Sequence, residues 1–139
     1  MKEFYLKIAD RLTSAVPQLR YVDLEKGQTD DPDRREGIDY PAALIDIEFP
    51  ACQVRMTVRV VFEAVADQTS HITPHVWRER SLAILDTVQT VVNALQGFDC
   101  GFSSALSRTA QRAEQRDDEL KVYRIAFTAT FDEEFDTEL

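Results

Sequence analysis

The stretch Ala43-Leu44-Ile45-Asp46-Ile47-Glu48-Phe49-Pro50-Ala51-Cys52-Gln53-Val54-Arg55-Met56-Thr57-Val58-Arg59-Val60-Val61-Phe62-Glu63 decides the fold. Ala43, Ile45, Ile47 and Phe49 alternate with Leu44, Asp46 and Glu48, and Val54, Met56, Val58, Val60 and Phe62 alternate with Arg55, Thr57, Arg59 and Glu63. A period of two places successive side chains on opposite faces of a strand, so each half reads as a strand with one apolar face. Pro50-Ala51-Cys52 interrupts the pattern and marks the turn between them. Two clean alternations around a short turn predict an antiparallel pair, covered on one face and polar on the other. Leu44 and Val61 intrude on the polar face and predict partial occlusion there as well.

The cover for the apolar face lies on either side of this stretch. Phe4, Ile8, Leu12 and Ala15 recur at fourfold spacing, which predicts an amphipathic helix from Lys2 to about Ser14, ended by Pro17. A brief strand follows over Arg20 to Leu24. Thr73-Pro74 offers an N-cap with proline at the first helical position. Leu82, Leu85, Val88, Val92 and Leu95 then hold a helical period up to Gly97, with Ile84 and Val91 widening the stripe. The segment 104–115 fits a helix through Leu106, Ala110 and Ala113, and also an edge strand, which is the preferred reading. Asp117-Asp118 makes a turn, and Tyr123, Ile125, Phe127, Ala129 and Phe131 alternate in a last strand. The pattern is that of an α+β domain over 1–131, followed by an acidic tail, 132–139, expected to be flexible.

Composition narrows the function classes. The chain has 139 residues, near the usual size of one domain, with 25 acidic against 16 basic residues and a formal charge of −9. Such a surface opposes a phosphate backbone, so specific nucleic-acid binding is not expected. Nowhere do 18 apolar residues run together, so no membrane span is expected, and two cysteines 48 positions apart read as ordinary thiols of a cytoplasmic protein.

Clusters that invite a chemical reading have plainer ones. In Leu95-Gln96-Gly97-Phe98-Asp99-Cys100-Gly101-Phe102-Ser103-Ser104, Gly97 sits where a helix takes a left-handed C-cap, and Phe98 and Phe102 are placed to fold back on the helix end. The serines lack a Gly-x-Ser-x-Gly elbow. His71, His75 and Glu79 have the spacing of a helical metal face, but Pro74 breaks the register, and no metal or cofactor is expected. The acids of 117–119 and 132–134 lie in a turn and a tail, where solvation keeps them ordinary. No catalytic group emerges, and an enzyme is not expected.

Three features remain as candidate interfaces. The segment Glu25 to Asp39, rich in charge with Ile38 its single apolar residue, reads as a long exposed loop, either functional or mobile; it carries Asp30, Asp31, Arg34 and Arg35. Arg34 and Arg35 are nearly surrounded by acids and read as part of a solvated charge mixture. The polar sheet face presents Arg55, Arg59 and Arg124. Trp77, the sole tryptophan, suits either an interface anchor or a core residue at a polar edge.

The succession of elements resembles that of the small tail terminator and tail completion proteins of tailed bacteriophages and prophages. Tyr40-Pro41-Ala42-Ala43-Leu44-Ile45, Ala94-Leu95-Gln96-Gly97-Phe98, and the hairpin from Ser107-Arg108-Thr109 to Val122-Tyr123 carry the resemblance. The helix end departs from it, with phenylalanine where tryptophan is expected. The resemblance implies a mixed, mostly antiparallel sheet with two helices on one face. It also implies a homo-oligomeric ring, possibly a hexamer, that caps the tail tube and joins it to the head-tail connector. Such a subunit is cytoplasmic during assembly and part of the virion tail afterwards. The alternative is a stand-alone bacterial α+β module that binds a ligand or protein through its sheet face.

Overall fold

In the computed structural model, which describes residues 2–63, 74–116 and 118–131 except the side chains of Pro74, His75 and Trp77, the alternating stretch forms β2 (Ala42–Glu48) and β3 (Gln53–Glu63). The full order is α1 (Lys2–Ala15), β1 (Tyr21–Leu24), α2 (Pro32–Arg35), β2, β3, α3 (Pro74–Leu95), β4 (Ser107–Ala113) and β5 (Leu120–Thr130). The five strands lie in the order β1-β2-β3-β5-β4. Every pairing is antiparallel except β1 with β2, so the sheet is mixed and mostly antiparallel, as expected. Within the segment 104–115, Ser107–Ala113 form the edge strand β4, with a register shift between Arg108 and Ala110.

One face of the sheet carries the main core. Ala43, Ile45, Val54, Met56, Val58, Val60, Ile125 and Phe127 pack there against Phe4, Ile8 and Leu12 of α1 and Val88, Val91, Val92 and Leu95 of α3. Both helices thus cover the same face. Gly97 takes its positive φ of 78° just past α3, and the half-buried Phe98 and Phe102 pack against this core.

The apolar stripe of α3 differs from the expected one. Leu82 and Leu85, assigned to the core stripe by their threefold spacing, remain 51% and 47% exposed, while Thr87 and Ala94 are buried. Each step of three residues turns 300°, so moving back from Val88 to Leu85 to Leu82 walks about 60° per step off the buried face. The core-facing line instead runs through Ile84, Val88, Val91 and Leu95.

The β2–β3 turn is tight and strained. Gln53 N–H donates to the Pro50 carbonyl at 3.1 Å, and both central residues, Ala51 at φ 32° and Cys52 at φ 42°, lie in the left-handed region. Asparagine and glycine suit such a turn; alanine and cysteine do not. Cys52→Gly removes the Cβ from this conformation and should raise stability by about 0.5–1 kcal/mol, readable as a higher urea midpoint.

A second, smaller core lies on the opposite face, where Leu44 and Val61 signalled occlusion. Ile38, Ala42, Leu44, Val61, Leu120 and Val122 are buried together, with Tyr21 and Tyr40 against them. The lid over this patch is the connection from β1 to β2, which the parallel pairing obliges to cross the sheet. The segment read as an exposed loop is therefore folded. It contains α2, capped by the Asp31 carboxylate accepting from Asp33 N–H at 3.0 Å, and it buries Gln28, Thr29 and Ile38.

Candidate functional site

Arg59 stands on β3 between Leu44 of β2 and Arg124 of β5, on the face under the crossover. A charge there needs partners, because its neighbours Leu44 and Val61 are fully buried. The fold supplies them from two directions. Arg59 Nε and Nη2 donate to Glu114 Oε1 and Oε2, both at 2.9 Å, a bidentate pair at the end of β4. Its Nη1 donates to Glu25 Oε2 at 2.9 Å and to the Thr29 hydroxyl at 3.1 Å, both in the crossover. The Arg59 side chain is only 12% exposed.

A second arginine continues the network. Arg116 donates to Asp118 Oδ2 at 2.6 Å and to Glu114 Oε2 at 3.3 Å, and it approaches Asp30 at 3.6 Å. Arg35 of α2 reaches the same Asp118 carboxylate at 3.2 Å and also donates to the Thr29 carbonyl. Crossover, central strand and the β4–β5 connection are thus tied by three arginines and four carboxylates, Glu25, Asp30, Glu114 and Asp118.

The protonation equilibria follow from this arrangement. Burial disfavours the Arg59 charge, but its hydrogen bonds to Glu114 and Glu25 outweigh it and hold the guanidinium above its ordinary value. Burial likewise pushes Glu114 up, and the Arg59 hydrogen bonds and charge more than reverse it, leaving the carboxyl below its usual range. The Arg116 hydrogen bond pulls Asp118 down to about 2. Carboxylates held low keep protons weakly and are poor general bases at neutral pH.

A depressed folded-state value contributes stability that is complete above the unfolded value near 4 and is lost as the pH falls through 2. Unfolding free energy should therefore drop between pH 4 and pH 2. Asp118→Asn should flatten that part of the profile and cost about 1–2 kcal/mol at neutral pH, as followed by urea titration at successive pH values.

The structure distributes the candidate interface residues unequally. Arg59 and Arg35 belong to the internal network, and Asp30, although 72% exposed, sits at its edge beside Arg116. Asp31 caps α2, and Arg34, 61% exposed, donates to the Lys26 carbonyl at 3.0 Å and lies 3.6 Å from Asp31. Arg55 and Arg124 do stand on an open part of the polar face, Arg124 reaching Glu114 only at 3.7 Å. Trp77 lies in α3, but its side chain is outside the described residues, as are that of His75, the whole of His71 and Asp117, and the 132–139 segment.

Glu25, Thr29, Glu114 and Arg116 were not singled out from sequence, and Asp118, read there as an ordinary solvated turn acid, is instead held low by Arg116. The available signal was Arg59 itself, a charge placed between Leu44 and Val61 where the polar face turns apolar. Among the described residues no group of three or more His, Cys, Asp or Glu side chains is arranged to hold a metal, and no helix is long and apolar enough to cross a membrane. Cys52 is exposed and Cys100 buried, both as free thiols.

Among the described residues several surfaces stand open. All seven residues of β4 are exposed along a sheet edge. Leu82 and Leu85 stand out on α3. On the open part of the polar face a cleft of about 610 Å³ is lined by Asp46, Thr57, Arg112, Arg116 and Arg124 together with Glu114. No protein-family model matches this chain, and no curated protein matches it.

Proposed function

We propose that the chain is a tail terminator or completion subunit of a phage or prophage, which assembles into a homo-oligomeric ring and caps the tail tube at the head connector. The observation that carries this reading is the pair of unlike open surfaces, an exposed leucine pair on α3 and a fully exposed edge strand. A ring needs two different surfaces on each subunit, because its contacts are heterologous. The succession of elements that resembles the tail proteins adds to it. So does the charge of −9, since an acidic ring repels DNA and lets a genome pass without sticking. The subunit works by packing and carries no catalytic step.

Purified tail tubes from a related phage test the reading. The protein should decorate one end of the tube in negative-stain images and co-sediment with it. A protein that leaves both ends bare at micromolar concentration contradicts the assignment. The mixed-charge cleft of about 610 Å³ favours a second reading, a stand-alone module binding a zwitterionic ligand or peptide. That reading expects a monomer or dimer indifferent to tubes.

A further inference from the structure

Three arginines stand in one row across the polar face of the sheet. Arg59 of β3 lies opposite Arg124 of β5, and Arg124 lies opposite Arg112 of β4. Like charges directly opposite one another destabilise a sheet, so such a row calls for anions. Arg59 has its own in Glu25 and Glu114. The Glu114 carboxylate is occupied by Arg59 and Arg116, and Arg124 reaches it only at 3.7 Å. Arg112 has no hydrogen-bond or ion-pair partner among the described residues.

The next row on the same face is built of smaller side chains. Thr57, Ala126 and Ala110 lie opposite one another on these three strands, two residues along from the arginines. A trough results. At its β2 end stands Asp46, opposite Thr57 and exposed, also without a hydrogen-bond or ion-pair partner among the described residues. Asp46, Thr57 and Arg124 line both the cleft of about 610 Å³, which includes Arg112, and an adjoining one of about 430 Å³, which includes Ala126. The far side of the second holds one acid and one base, Glu48 and Arg55, opposite each other. The remaining charges of the first, Glu25, Asp30, Arg59, Glu114 and Arg116, are engaged with one another.

The trough is therefore basic at one end and acidic at the other, with the charges at both ends available. Two strand spacings separate Asp46 on β2 from Arg124 on β5, about 10 Å, which is the reach of about three extended residues. A guanidinium fork matches a carboxylate, and a carboxylate matches an ammonium. We propose that the trough binds the two free ends of a short extended peptide, its carboxylate between Arg112 and Arg124 and its ammonium at Asp46. Small floor residues make few demands on the peptide's side chains, so its end groups set recognition. The proposal rests on the binding-module reading of the cleft, and ring assembly neither requires nor excludes it.

Isothermal titration calorimetry of the full-length protein with trialanine, N-acetyl-trialanine and trialanine amide tests this. Trialanine should bind, and each blocked peptide should bind at least tenfold more weakly. Arg112→Gln should shrink the gap between trialanine and its amide and keep the gap to the acetylated peptide, whereas Asp46→Asn should do the reverse. Both side chains lie outside the ion-pair network, and an unchanged urea midpoint verifies the fold of each variant. Blocked peptides that bind as tightly as trialanine, or variants that leave both gaps as they were, overturn the recognition of ends by these residues and leave a binding cleft. If none of the three peptides binds at millimolar concentration the proposal fails, while the binding-module reading still answers to solution mass and indifference to tubes.

Discussion

Arg59→Ala should lower the unfolding free energy by about 3–5 kcal/mol, the range for removing one partner of a buried ion pair. The size follows from what remains. Glu25, 19% exposed, loses the arginine that pairs with it, Glu114, 17% exposed, keeps only its longer contacts to Arg116 at 3.3 Å and Arg124 at 3.7 Å, and Thr29 loses the donor to its hydroxyl. The effect should also be local. The crossover is tied down chiefly through Arg59, Arg35 and Arg116, so amides of 25–39 should exchange faster than those of β3 in the variant. Arg59→Lys restores one charge without the bidentate fork and should recover only part of the loss. Arg59→Glu adds a third carboxylate to two and should fail to fold. Urea titration separates these cases, and a loss below 1 kcal/mol for Arg59→Ala refutes the clamp.

Leu82→Asp combined with Leu85→Asp should abolish ring assembly, a weakening of at least a hundredfold, while leaving the subunit folded. Both leucines are about half exposed in the isolated chain, so the fold gives up little apolar burial when they are replaced. In an interface the same positions lose their water, and a carboxylate there faces a desolvation cost with no partner. Sedimentation velocity reads assembly, and the urea midpoint reads the fold. Unchanged assembly excludes this surface of α3 as an interface. A fallen midpoint with lost assembly instead gives the leucines a structural role.

What sequence alone revealed follows the periodicities. The alternation in β2, β3 and β5 reflects burial on one face, and burial is a local demand on each residue, so those strands and the apolar face could be read directly. Leu44 and Val61 likewise announced the second core by breaking the polar pattern. The rest depended on pairings between distant segments. Leu82 and Leu85 fit a helical spacing, yet steps of three drift around the helix, and only the direction from which the sheet meets α3 decides which flank is buried. Arg59 looked like a surface charge because Glu25 and Glu114 lie 34 and 55 positions away and no local rule links them. The crossover looked like an exposed loop for the same reason. Its order comes from ion pairs across the sheet and from a single apolar anchor of its own, Ile38.

The proposed assembly of this chain into a ring by packing is read from its mass in solution. Light scattering after size exclusion, over a wide concentration range and with electron microscopy of the largest species, gives it. A ring gives a defined species well above a dimer, an integral multiple of 15.9 kDa, appearing as rings either alone or once tail tube is added. A monomer or dimer at every concentration, with tubes left uncapped, would contradict it.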